Sequence, residues 1–170
     1  MIPIQAQSLT PQAFAPFGDV LDITGAPDKI INQGFCGRFH DRAQLDFGSD
    51  GRAGISLFSA QPREMPYRLE MMERHPDGSQ AFIPMSFDPF LVIVAEDAGN
   101  QPAAPQAFVT EAGQAVNYHR GVWHGVLTPL LAPGLFAVVD RIGPGANLQE
   151  HWFDTPFVVS LDKTGPTAGA

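Results

Sequence analysis

Tyr67-Arg-Leu-Glu-Met-Met-Glu73, Gln80-Ala-Phe-Ile-Pro84 and Phe90-Leu-Val-Ile-Val-Ala95 are short apolar or alternating runs, cut apart by His75-Pro-Asp-Gly78 and Asp88-Pro89. Pro and Asp-Gly are turn residues, so each run stops well short of the three turns that a packed helix needs. Runs of this length between such breaks read as strands. Working outward, Gly54–Ala60 comes before Gln61-Pro62, and Ala107–Thr110, Gln114–Tyr118, Leu135–Asp140 and His151–Val159 follow in the same style. No stretch carries an apolar period of 3.6 over three turns. Gly (17) and Pro (16) together make up roughly 19 % of the 170 residues, against a usual share of about 12 %. The expected fold class is all-β, a sandwich or barrel.

One short helix is expected at Thr10-Pro-Gln-Ala-Phe14, with Thr10 as its N-cap and Pro11 at the first helical position. Gly18 should stop it, and Asp19–Ile23 should form a first strand. Gly25 to Gly51 reads as irregular, with a strand around Gly37–His40. Nothing repeats at a fixed period and no linker divides the chain, so residues 1–170 are expected to form a single domain. Residues 164–170 (Thr-Gly-Pro-Thr-Ala-Gly-Ala) are expected to form a frayed tail.

Hydrophobic residues are 44 % and charged ones 16 % of the chain, a composition that excludes a disordered polymer and a coiled coil. Ten Lys and Arg against eighteen Asp and Glu give a net charge of −8, with no basic run. Nucleic acid and anionic membrane surfaces are therefore poor partners. The longest apolar stretches, Phe90–Ala95 and Leu135–Val139, are far short of the roughly 20 residues of a membrane span. The N-terminus has no basic start and no apolar signal core. The one cysteine, Cys36, has no internal partner and reads as a small buried hydrophobe in a reducing compartment. The expectation is a cytoplasmic protein.

Two short windows hold three of the five histidines. In Glu73-Arg-His75-Pro-Asp-Gly-Ser-Gln80, residues 73 and 75 share one strand face because side chains alternate. The Pro-Asp-Gly turn reverses the chain, so Gln80 can bring its amide back to the same region. By the same alternation, Arg74 should face outward. The second window, Gly113 to His124, holds Asn117, Tyr118, His119, Arg120 and Trp123. His119 and Arg120 lie at a turn and alternate, so only one of them points inward.

These windows resemble the two cupin motifs. The first motif, His-x-His, about four residues, Glu, reads here as Glu73-x-His75, four residues, Gln80. The second, Gly, five residues, Pro-x-Gly, two residues, His, reads as Gly113, five residues, His119-x-Gly121, two residues, His124. Relative to that pattern, Glu73 keeps a metal ligand, whereas Gln80 is a weaker, neutral one. A closer resemblance covers nearly the whole chain. Glu73-Arg-His-Pro-x-Gly-Ser-Gln-Ala-Phe-Ile-Pro-Met85, Val116-Asn-Tyr-His-Arg120 and Trp123-His124 resemble the ureidoglycolate lyase family, and Asn32-x-Gly34, Arg38-x-His-Asp41, Ala60-Gln-Pro62 and Asp140-Arg141 fit it too.

The resemblance implies an all-β, cupin-like jelly-roll barrel with one or a few short helices, usually a homodimer. It implies a carbon–nitrogen lyase that cleaves (S)-ureidoglycolate to glyoxylate and urea in allantoin and purine breakdown for nitrogen. It also implies a divalent metal such as Ni²⁺, held by His75, His124, Glu73 and Gln80, and no organic cofactor. Glu73 and His75 are candidate bases, and His124 and Tyr118 candidate acids. Gln80 matches the donors and acceptors of a ureido group. The substrate's carboxylate calls for a guanidinium, for which Arg141 and Arg38 are the candidates. Trp123 is expected in the core or a dimer interface, His151 as a structural residue, and His40 with Asp41 as a weaker candidate pair. Three rivals stand beside this reading: hydrolysis of the ureido group with release of ammonia and CO2, another metal-dependent cupin enzyme such as an oxygenase or isomerase, and a non-catalytic cupin that binds a small acid.

Overall fold

The structure, a computed structural model, describes residues 1–161; the expected frayed tail lies outside the described residues. The strands are β1 (Ile2–Gln5), β2 (Gln7–Ser8), β3 (Gly18–Leu21), β4 (Lys29–Ile31), β5 (Cys36–Arg38), β6 (Arg52–Ala60), β7 (Tyr67–Arg74), β8 (Gln80–Pro84), β9 (Phe90–Ala95), β10 (Gln106–Val109), β11 (Ala115–Tyr118), β12 (Trp123–His124), β13 (Thr128–Pro129), β14 (Gly134–Ile142) and β15 (Gln149–Ser160). One short helix, α1 (Pro11–Phe14), begins at Thr10, whose hydroxyl accepts a hydrogen bond from Ala13 N. The all-β expectation holds, and the helix starts where its cap predicts.

An eight-stranded sheet runs β1-β15-β7-β12-β9-β10-β2, with β13 also on β9; a five-stranded sheet runs β3-β11-β8-β14-β6. β9 explains how they close into a cupin-like barrel. All six of its residues are buried, so it has no solvent face. Phe90, Val92 and Val94 point into a core between the sheets, where they meet Phe82, Val116, Phe136, Val138 and Phe14. Leu91, Ile93 and Ala95 point the other way, to a second core with Leu69, Met72, Trp123 and Val159 from β7, β12 and β15. These partners belong to the same sheet as β9, so that sheet curls over itself. Both faces of β9 are lost to water, which favours its Val- and Ile-rich composition.

β8 and β9 have the ends the sequence predicts, because each is an unbroken run between turns. The region from Gly25 to Gly51 is more ordered than expected: β4 and β5 form a hairpin through Asn32–Gly34. Gln33 sits at φ 56° inside that turn and Gly34 at φ 96°. Cys36 is half-buried in this hairpin rather than a core hydrophobe, and it is a free thiol. Trp123 is a core residue; its indole N–H donates to Asp97, and the Arg74 guanidinium lies 4.5 Å from its ring. Arg74 does lie on the face away from Glu73, but it is held there by Asp97, Asn100 and Gln149 rather than solvated. His151 packs against Trp123 and Phe153, as expected of a structural residue.

Candidate active site

Register builds the site. In the five-stranded sheet, Tyr118 of β11 lies opposite Gln80 of β8, which lies opposite Asp140 of β14. Directly opposed residues share a face, and the next inward row is Val116, Phe82 and Val138 of the core. Tyr118, Gln80 and Asp140 are thus the polar rung that ends the barrel's apolar lining. The other sheet answers with its own rung: Glu73 of β7 pairs with His124 of β12, which pairs with Val94 of β9. His75 follows one step beyond β7. His75, Gly78, Gln80, Tyr118, His119, Val122 and His124 line a small pocket.

Glu73, His75 and His124 each offer a ligand atom, all within 4.8 Å of one another. Both imidazoles are oriented from behind. His75 Nδ1 lies 2.7 Å from Asn147 O, and His124 Nδ1 lies 3.1 Å from Gly125 O. A carbonyl can only accept, so Nδ1 carries the hydrogen and a neutral ring turns the lone pair of Nε2 inward. Both Nε2 atoms are buried and without a partner, as is Gln80 Oε1. Two imidazole nitrogens and a carboxylate fit the donor set of a divalent transition metal.

Burial also sets the proton affinities. It pulls His124 down to about 3, helped by neighbouring His75 and only partly opposed by the Gly125 carbonyl. His124 is therefore a neutral base at physiological pH. Burial pushes the Tyr118 phenol above its usual value, and the Glu73 carboxylate adds to this. Burial likewise raises Glu73; His75 opposes the shift and Glu150 reinforces it. The Tyr118 ring stacks on His124 with centroids 4.4 Å apart and planes 2° apart.

The structure brings His75, His124, Glu73, Tyr118 and Gln80 together, but not Arg38 or Arg141. Arg38 is exposed on the β5 hairpin and bonds His40 at 2.8 Å. His40 and Asp41 are also in that loop, away from the pocket; His40 N donates to Asp28. The Arg141 guanidinium donates to Phe47 O, Pro144 O and Asp50, its side chain is only 2 % exposed, and it does not line the pocket. Its alternation explains this, since Asp140 takes the inward parity of Phe136 and Val138 and Arg141 takes the outward one. Of His119 and Arg120, His119 faces the pocket, while Arg120 reaches back to Pro76 O.

Sequence reasoning does not reach two residues of the site, Asp140 and Asp19. Asp140 reaches the pocket's back wall through Gln80, whose Nε2 donates to its Oδ2 at 3.3 Å. The parity of Phe136, Val138 and Asp140 was the available signal. His119 Nε2 meets Asp19 at 3.0 Å. Burial raises Asp19, but hydrogen bonds from Asn117, Gln44 and His119 outweigh it and hold the carboxylate below its usual value. No local signal announces that pairing, since its members are 100 positions apart.

The barrel and its mouth define a class: a cupin-like protein whose open end gathers two imidazoles, carboxylates and a phenol around a small pocket. The family model described as ureidoglycolate lyase matches residues 1–160. The chain belongs to the ureidoglycolate lyase family. It is 58 % identical to a ureidoglycolate lyase of Rhodobacter capsulatus over 156 residues, 92 % of this chain and 97 % of the relative. Ureidoglycolate lyase 2 of Rhizobium meliloti is 48 % identical over 160 residues, 94 % of this chain and 98 % of that one. A ureidoglycolate lyase of Agrobacterium fabrum is 46 % identical over 158 residues, 92 % and 95 % of the two chains.

Proposed function

We propose that the protein is a ureidoglycolate lyase, cleaving (S)-ureidoglycolate to glyoxylate and urea. The observation that carries the chemistry is the cluster of Glu73, His75 and His124 with both Nε2 atoms unpartnered, facing the Tyr118 phenol. Ureidoglycolate is a carbinolamide: one carbon bears a hydroxyl, a carboxylate and the ureido nitrogen. Its cleavage breaks O–H and C–N bonds and forms C=O and N–H bonds. One group must therefore accept a proton and another must donate one.

Glu73 takes the hydroxyl proton, its affinity for that proton raised by burial. His124 is unprotonated at neutral pH, so the acid is Tyr118, which keeps its proton there and gives it to the departing nitrogen. Deprotonated Tyr118 then regains a proton from Glu73 or water. With Arg38 and Arg141 engaged elsewhere, our candidate partner for the substrate carboxylate is His119 in its imidazolium form, donating Nε2–H to Asp19 and Nδ1–H to the substrate. Glu73, His75 and His124 would hold a divalent ion such as Ni²⁺, which would supply Lewis acidity toward the substrate's oxygens.

The same reading places the protein in allantoin and purine breakdown for nitrogen, in the cytoplasm, as a homodimer. The free thiol of Cys36 supports a reducing compartment. No helix among the described residues is long and apolar enough to cross a membrane. The outer face of the five-stranded sheet supports self-association: Ile55 is 77 % and Leu57 67 % exposed, and Leu57 lies in register with Ala137 and Ile83.

The test follows glyoxylate, urea and ammonia together when purified protein meets ureidoglycolate, with and without a chelator. Equal glyoxylate and urea without ammonia is the expected result. Ammonia and CO2 in place of urea would make the enzyme a hydrolase, and binding without products would make it a small-acid-binding cupin. Activity lost to chelator and restored by Ni²⁺ would assign the ion to the cluster.

A further inference from the structure

Asp140 has no task in the reaction as described, yet it stands on the polar rung of the barrel mouth. It lies directly across from Gln80, takes that amide's N–H on Oδ2, and keeps Oδ1 buried without a partner. Gln80 Oε1 is buried and unpartnered too. A carboxylate oxygen accepts and does not donate, so beside Asp140 the amide has one favourable orientation: nitrogen toward Asp140, oxygen away from it. Gln80 lines the pocket, so its oxygen is the acceptor presented there.

We propose that Asp140 is a positioning residue that fixes Gln80 Oε1 as the acceptor for a ureido N–H group, and so sets a preference for ureido acids over plain 2-hydroxy acids. The proposal rests on the lyase reading for its substrate. Ureidoglycolate carries N–H groups at one end only, and an acceptor with a locked orientation recognises that end. Tyr118 occupies the neighbouring position on the same rung. The nitrogen that receives the proton and the terminal amide then run along Tyr118 and Gln80, which leaves the carboxylate for His119. Without Asp140 the amide can turn over and present a donor to a donor, a mismatch of the kind that sites reject strongly.

The test is calorimetric binding of two probes to the protein as purified. N-carbamoylglycine has the ureido group and carboxylate but cannot be cleaved; glycolate has the hydroxyl and carboxylate but no ureido group. In Asp140→Ala the dissociation constant for N-carbamoylglycine should rise about tenfold, the loss of one well-made hydrogen bond, while that for glycolate stays within about twofold. Asp140→Asn should weaken the same probe. The double variant Gln80→Glu/Asp140→Asn exchanges donor and acceptor between the two positions and still turns an oxygen to the pocket, so it should recover most of the lost affinity. Equal weakening of both probes, no change in either, or lost Ni²⁺ affinity with probe selectivity intact would overturn the proposal. A wild type that prefers N-carbamoylglycine through Asp140 but does not cleave ureidoglycolate would sink the lyase reading and leave the role of Asp140 standing.

Discussion

Tyr118 and His124 are stacked and buried together, yet their proton affinities are pushed in opposite chemical directions, toward a phenol that keeps its proton and an imidazole that refuses one. Tyr118→Phe keeps the ring and its stacking and removes the O–H alone. We expect kcat to fall about 100-fold with little change in Tm; unchanged kcat in a glyoxylate assay would remove Tyr118 as the acid. His124 also makes stability depend on pH. Its folded value of about 3 lies below the unfolded 6.5, so between those limits the unfolded chain binds a proton that the folded chain does not. Stability is thus retained above 6.5 and lost as pH falls through that window, on the order of one kcal/mol per pH unit. Denaturant titrations of metal-free protein across the window should show that slope, and His124→Asn should flatten it. Glu73 contributes with the opposite sign, because its raised value costs stability as pH rises through it.

At the scale of elements, Arg141 shows what a buried guanidinium does when it is not at the site. Its side chain is 2 % exposed and ties β14 to the segment around Phe47 and Asp50 and to the turn at Pro144. Gly51, Gly78 and Gly143 leave it room: a Cβ at any of them would fall within 3 Å of an Arg141 side-chain atom. This clamp backs the Asp77-Gly78 turn that returns Gln80 to the pocket. Arg141→Met keeps most of the packing and loses the hydrogen bonds. Its Tm should drop by several degrees, at about 2–4 °C per kcal/mol for a chain of this size, while KM for ureidoglycolate changes little. A tenfold rise in KM at unchanged Tm would instead return Arg141 to the substrate's carboxylate.

For the molecule as a whole, the two sheets differ in how they face solvent. The eight-stranded sheet curls over its own outer face and buries Leu91, Ile93 and Trp123 there, whereas the five-stranded sheet leaves Ile55, Leu57 and Ile83 exposed. An apolar strip on one outer face is what a partner copy would cover. Light scattering behind size exclusion should give a dimer for the wild type and a monomer for Leu57→Glu. A monomeric wild type would contradict the homodimer.

Local sequence suffices for many of the strands and for most of the chemical groups of the site. β8 and β9 are bounded by turn residues that no packing needs to impose, α1 begins at its own capping threonine, and Glu73, His75 and Gln80 lie within one turn of chain. The tertiary structure decided everything that depends on register between distant strands. β1 was illegible because its partner, β15, lies at the other end of the chain and a four-residue strand has too little periodicity of its own. Asp140 stands behind Gln80 on the pocket side and Arg141 on the other because a one-residue shift exchanges the two faces of a strand, and the pairing of β14 with β8 sets which is which. His119 finds Asp19 only once β3 lies beside β11. Local propensity acts over a few residues, so it can name the groups of a site, but closing the barrel brings them together.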